Sequence, residues 1–171
     1  MTPAQREDDR MSKDIAQIAA WLQPQEILFD VDVRDRPHAL EVAAEAICRA
    51  RGLDPAPVVR ALWRREQAGT TALGDGFAIP HACIGGISQP TTLFIRTRRA
   101  IAFHAPDGKP VSQLLAIMVP EEGARDDHLQ LLALVARLFT DHSFRAQLDG
   151  APDAAAAAEV FRAGIARVAA A

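Results

Sequence analysis

The sequence is poor in several residue types on which common functions depend. It has no tyrosine, aromatic residues make up 5% of its 171 positions, and nine Phe and Trp side chains leave few flat rings for stacking bases. Neither sign of charge prevails. Nineteen Lys and Arg against 22 Asp and Glu give a net charge of -3, too balanced for a protein that grips nucleic acid by neutralising many phosphates. Long hydrophobic runs are also missing: none exceeds the six residues of Leu114 to Val119, far below the roughly 20 needed to cross a bilayer. The stretch Met1 to Lys13 is polar and has no apolar signal-peptide core. A cytoplasmic protein is expected, with no membrane insertion and no nucleic-acid partner. Two cysteines, Cys48 and Cys83, are too few for a disulfide framework and are not spaced like a zinc site. No nucleophile elbow, Walker sequence or paired-carboxylate motif is present.

The chain does have alanine, 34 residues of it, and a length that suits one domain. Residues 1–13 hold Arg6, Glu7, Asp8, Asp9, Arg10 and Lys13 with almost nothing to bury, so a disordered tail is expected there. Ile15, Ile18, Ala19 and Leu22 then recur at helical spacing, and Ile27 to Val31 reads as a strand. Asp35 with Pro37, and Asp54 with Pro55, carry the start signals of two helices. Leu40, Ala43, Ala44, Ile47 and Ala50 form the apolar stripe of the first, which Gly52 ends. Val58, Val59, Leu62 and Trp63 form that of the second, with Arg60, Arg64, Arg65 and Glu66 placed largely outside it. Glycines and prolines then punctuate short β-like runs at Phe77–Ile79, Thr91–Thr97 and Leu114–Val119, with a hairpin turn at Pro106–Lys109. Asp126 and Asp127 precede a helix with His128, Leu131, Leu132, Val135, Leu138 and Phe139 on one face. A short helix from Ser143 to Leu148 follows, then an Ala-rich helix over about 153–170, capped by Asp153 and packing through Phe161, Ile165 and Val168. The order predicts the α/β class: a single domain with a mixed β-sheet flanked by α-helices.

The densest cluster of unusual residues is Gly69-Thr70-Thr71-Ala72-Leu73-Gly74-Asp75-Gly76-Phe77-Ala78-Ile79-Pro80-His81. Pro80 forces Ile79 to be extended and removes a donor, so a short strand is expected to end there with His81 in the following loop. The glycines allow backbone N–H groups near an anion, and Thr70 and Thr71 offer hydroxyls, but the spacing matches neither a P-loop nor a dinucleotide fingerprint. By composition alone His81 reads as a surface turn residue sooner than as a functional one. His128 falls in the first turn of a helix, where the macrodipole favours a neutral ring, and taken alone it reads as a residue covering the end of an apolar face. His81 and Cys83 form an H-x-C pair without further metal ligands, so no metal and no cofactor are expected. Cys48, beside Ile47, reads as core.

Together these segments resemble a known family. Gly69-Thr70-Thr71, Gly74 through His81, Ala102-Phe103, Asp107-Gly108-Lys109-Pro110-Val111, Leu114 to Pro120, and His128-Leu129 leading Leu131-Leu132-Ala133 resemble the enzyme IIA proteins of the bacterial phosphotransferase system. The similarity is to the fructose, mannitol and nitrogen-regulatory branch, runs from roughly Ile15 to Phe161, and looks most like the nitrogen type. It implies the mannitol/nitrogen-type IIA fold, with 14–171 as a type-2 IIA domain. It implies phosphorylation of His81 by a histidine phosphocarrier protein, and regulation of targets such as potassium transport proteins or sensor kinases according to phosphorylation state. The alternatives are a sugar-specific transport component and an unphosphorylated binding module. The resemblance gives His128 a part in phosphoryl stabilisation and matches Arg65 to the arginine of the family's R-E-x-x-G-[ST]-T stretch. It also places Thr71, with Thr70 and the backbone after His81, in a phosphate cradle. Cys83, where relatives are often basic, and His104, where they are commonly small or acidic, depart from the pattern. The last 21 residues, 11 of them alanine, extend or replace the family's usual ending.

Overall fold

The computed structural model describes residues 2–6, 22–122 and 125–171, with backbone alone at 125–127 and 169. The helix expected around Ile15–Leu22 and residues 7–13 of the expected tail lie outside these, apart from Leu22, which is buried. Residues 3–6 form one helical turn, closed by Arg6 N donating to Thr2 O at 3.1 Å.

Packing divides the chain into two units, Leu28–Gly123 and the terminal segments Met1–Ile27 with Ala124–Ala171. The first is built on strands β1 (Ile27–Val31), β2 (Ala72–Gly74), β3 (Phe77–Ala78), β4 (His81–Ile84), β5 (Thr91–Ile101) and β6 (Val111–Pro120), with helices α1 (Arg36–Arg51) and α2 (Pro55–Gln67). The caps read from the sequence are in place. Asp35 accepts from His38 N at 2.9 Å, Asp54 accepts from Ala56 N at 3.0 Å, and Gly52 closes α1 at φ 65°, a conformation that suits glycine. Ala39, Leu40, Ala43, Ala44 and Ile47 are the buried stripe of α1, whereas Ala50 is exposed because the last turn of the helix outruns the core.

The six-stranded sheet has the order β1-β5-β6-β3-β2, with β4 also on β6. Strands β5 and β6 form the expected antiparallel hairpin, Leu93 facing Ala116 and Ile95 facing Leu114, with a register shift between Arg96 and Ile101. Both outrun the predicted segments, because hydrogen bonding carries the ladder past the apolar residues that marked them. On the other edge of β6, β3 and β4 follow one another in parallel register, Ala78 opposite Leu114 and His81 opposite Ile117. Central position explains the burial of both alternating sets of β6 side chains from Gln113 to Pro120. Leu40, Ile47, Leu62, Leu93, Ile95 and Leu114 lie at the heart of this unit's core, and Cys48 is buried among them as expected.

The two turns of the sheet are latched together. Asp107 accepts from Asp75 N at 2.7 Å and Lys109 N at 3.1 Å, while Lys109 Nζ lies 3.2 Å from Asp75 Oδ1. The two backbone donors hold the Asp107 carboxyl below its ordinary pKa. Gly74 and Gly76 sit at φ 98° and 85° around Asp75, and a Cβ on Gly74 would stand 3.2 Å from Asp107 Oδ2, so this turn needs glycine.

The terminal unit holds a 3-10 turn (Pro24–Glu26) and helices α3 (Arg125–Thr140), α4 (His142–Asp149) and α5 (Ala154–Ala170). Helix α3 begins at Arg125, so Asp126 and Asp127 lie in its first turn rather than before it. Asp141 and Asp153 cap the next two helices through Ser143 N at 2.8 Å and Ala156 N at 2.8 Å. Phe139, Phe144 and Phe161 meet edge to face, with centroids 5.4 to 6.3 Å apart. Gly164 lets them close: a Cβ there would stand 2.7 Å from Phe144 Cδ2 and 2.8 Å from Leu138 Cδ1. Gly164→Val is therefore expected to destabilise the protein by about 2 kcal/mol or more, since overpacking outweighs a gain in helix propensity of a few tenths. A thermal melt at or above the wild-type midpoint would refute the role of this contact.

Candidate functional site

The residues singled out between Gly69 and His81 meet the end of α2. His81 is not in a loop but opens β4, because β6 offers a second parallel register beyond Pro80; Ile117 N donates to Pro80 O at 2.9 Å. For the same reason the backbone after His81 runs as strand rather than as a loop cradle. The half-buried ring is held from both sides. Nδ1 lies 2.8 Å from Ile79 O, and Arg65 Nε donates to Nε2 at 3.1 Å. A guanidinium can only donate, so Nε2 is the acceptor and the neutral ring carries its proton on Nδ1, donated to the Ile79 carbonyl. Arg65 is itself oriented by Nη1 donating to Gly69 O at 2.8 Å.

The two threonines face inward. Thr71 Oγ1 donates to Glu66 Oε2 at 2.6 Å, and Thr70 Oγ1 donates to Phe103 O at 2.9 Å while accepting from Ala72 N at 3.1 Å. In this structure both hydroxyl protons are thus given to acceptors inside the protein. Their place is in the frame of the site. Glu66, expected outside the buried face, is 2% exposed and bonded to Thr71. Val58, Leu62 and Glu66 stand at i, i+4 and i+8, a spacing that already put the carboxylate on the buried stripe.

His128 is half-buried in the first turn of α3, within the terminal unit. His104 is exposed at φ 54°, a left-handed position where His is enriched, which gives a backbone reason for that departure. Cys83 is exposed and lines a groove of about 370 Å³ between α2 and β4, with Arg60 and Arg64 on the α2 wall. Among the described residues, no three His, Cys, Asp or Glu side chains form a metal-sized group.

The sequence matches the family model "Phosphoenolpyruvate-dependent sugar phosphotransferase system, EIIA 2" over residues 20–163. The chain belongs to this EIIA family. Among its relatives, a nitrogen regulatory protein of Bradyrhizobium diazoefficiens is 37% identical over 78% of this chain and 86% of its own. A fructose-specific EIIA component of Haloferax volcanii is 35% identical over 69% and 79%. The crystal structure of the nitrogen regulatory protein IIA-Ntr from Neisseria meningitidis superposes with a TM-score of 0.79 at 36% identity, covering 85% of this chain and 99% of that one. The mixed sheet with helices is thus the EIIA fold, and the EIIA family carries phosphoryl groups within the phosphotransferase system. Among the described residues no helix is long and apolar enough to cross a membrane.

Burial, and then the Arg65 charge, lower the His81 pKa below the ordinary 6.5, against the opposing Ile79 hydrogen bond and Glu66 charge. The ring therefore stays neutral to lower pH than a free imidazole. An NMR titration of the His81 ring should have its midpoint below 6.5. The linkage has the matching sign: as pH falls below 6.5 the unfolded chain takes up the proton first, so this group removes stability down to the folded-state pKa. A midpoint at or above 6.5 would contradict this account of the ring's surroundings.

Proposed function

We propose that this protein accepts a phosphoryl group on Nε2 of His81 from a histidine phosphocarrier protein and regulates target proteins by its phosphorylation state. The observation that carries the reading is the ring's fixed polarity, with Nδ1–H donated to Ile79 O and the Nε2 lone pair beside a guanidinium. In the transfer, that lone pair forms the new N–P bond as the P–N bond of the donor phosphohistidine breaks, and the donor nitrogen keeps the bonding pair. Such displacements are loose and nearly in line, so the acceptor has to position the nucleophile and balance charge. Arg65 suits the balancing of charge, since it moves its hydrogen bond from Nε2 to a phosphoryl oxygen as the lone pair is used. His128 is assigned to phosphoryl stabilisation on the family resemblance alone. The groove beside Cys83, with Arg60 and Arg64 on its wall, is where we expect the carrier to dock.

Regulation is preferred because relatives and the superposed structure are nitrogen regulatory proteins. Potassium transport proteins and sensor kinases are the target classes we propose. A sugar-transport role is the second reading, favoured by the fructose-specific relative of nearly equal identity.

Incubation with phosphoenolpyruvate, enzyme I and the phosphocarrier should add one acid-labile phosphoryl group, seen by intact mass and absent in His81→Ala. Arg65→Gln is expected to slow acceptance by about a hundredfold, the usual cost of losing one charge-stabilising donor. No label under conditions that label a control EIIA would overturn the reading. An unchanged rate in His128→Ala would remove that residue from the mechanism. Transfer onward to a membrane sugar permease would decide for transport over regulation.

A further inference from the structure

A carboxylate on the buried stripe of a helix is costly unless its charge is met by donors. Glu66 has them: Thr71 N donates to Oε1 at 3.1 Å, Thr71 Oγ1 donates to Oε2 at 2.6 Å, and Arg36 Nη1 stands 3.7 Å from Oε1. The guanidinium of Arg36, at the start of α1, lies over the Trp63 ring, 5.2 Å from its centroid. Among the described residues, the charges that meet Glu66 and His81 are Arg36 from α1 and Arg65 from α2.

From Glu66 the hydrogen bonds lead back to where they began. Thr71, held through its N–H and hydroxyl, offers its carbonyl to Ile79 N at 3.0 Å. Ile79 in turn offers its carbonyl to His81 Nδ1 at 2.8 Å, and His81 Nε2 accepts from Arg65 at 3.1 Å. Arg65 is the covalent neighbour of Glu66, so the ring of contacts closes on α2. We propose that Glu66 is a positioning residue for phosphoryl acceptance: by fixing Thr71 and through it Ile79, it sets the orientation and tautomer of the His81 ring. This rests on the phosphoryl-acceptor reading above.

A purely structural account of Glu66 is weaker. An apolar side chain at this position would extend the Val58 and Leu62 stripe, and replacing buried charges with well-packed apolar groups is often neutral or stabilising. What a carboxylate supplies and an apolar group cannot is a pair of acceptors that hold one backbone N–H and one hydroxyl of the same residue. That double hold anchors Thr71 by both its backbone N–H and its side chain, and so limits how far its carbonyl, in the next peptide plane, can turn from Ile79 N.

The test reads the ring itself. Long-range 1H–15N spectra of the unphosphorylated protein should show one His81 tautomer, with the proton on Nδ1. In Glu66→Ala we expect a mixture of tautomers, and the saturating rate of phosphoryl acceptance should fall about ten- to a hundredfold while the KM for the phosphocarrier holds. Glu66→Gln, which keeps one acceptor, and Thr71→Val, which keeps the backbone donor, should lie between wild type and Glu66→Ala. If Glu66→Ala does not fold, these two variants decide on the same readouts. A single unchanged tautomer with a wild-type rate in the folded variants would overturn the proposal. Should His81 take no phosphoryl group at all, the acceptor reading falls, while the ring-nitrogen spectra, which need no donor, still judge whether Glu66 sets the tautomer.

Discussion

The parallel register of β4 on β6 is the constraint from which the site follows. Strands β3 and β4 share one edge of β6 and are separated by Ile79 and Pro80. Proline has no N–H to give to a ladder, yet its carbonyl still accepts from Ile117, so pairing pauses for a residue and resumes with His81 in a fixed place. By strand alternation Ile79 turns its own N–H and C=O away from β6, on the side opposite the Pro80 carbonyl. Its N–H turns to Thr71 and its carbonyl to the His81 ring, and both bonds become part of the site.

Electrostatics then decides the form of the ring. Its protonation would place a second positive charge against a guanidinium and in a half-buried position, where both effects act in one direction. Each pKa unit corresponds to about 1.4 kcal/mol, so even a modest shift keeps the population neutral near pH 7. Arg65 is in this sense a partner to a lone pair rather than to a charge. Glu66, one residue on, meets Arg36 and the Thr71 donors and so does not neutralise Arg65 by direct contact.

Much of this was legible in the residues. Helix starts at Asp35, Asp54 and Asp153 were readable because a capping carboxylate or a first-turn proline acts locally, and a local interaction leaves a local signal. The paired turns around Asp75 and Asp107 were visible only as two separate motifs. Their common cause is a latch spanning 32 positions, and no spacing rule reports one. Strands β2 and β4 were missed for a related reason: three- and four-residue strands have too few side chains to show a period, and their pairing with β3 and β6 defines them. The burial of Glu66 is hidden for a different reason. Its charge argues for the surface, whereas the stripe of Val58 and Leu62 runs through it. The donors that make its burial tolerable come from the loop after the helix, which helical periodicity does not describe. Arg65 and His81 could be named as candidates from the family pattern, but their mutual bond and the direction of the ring proton depend on the β4 register.

One set of contacts can serve both proposed states of the protein. In the free state Arg65 donates to Nε2, and the Nδ1 proton is held by Ile79. A phosphoryl group on Nε2 would take the lone pair that Arg65 now faces and put negative oxygens in its place, so the guanidinium would gain a stronger partner with little movement. The Nδ1–H bond to Ile79 O involves neither the lone pair nor the phosphoryl group and would persist, holding the ring plane through the transfer. Little reorganisation on either side of the step is what a carrier needs, because it must accept and release the same group. Switching would then come from charge rather than shape: against a net charge of -3, one phosphoryl group adds about two negative charges at a single half-buried site. A target that reads that charge would distinguish the two states without any change of fold.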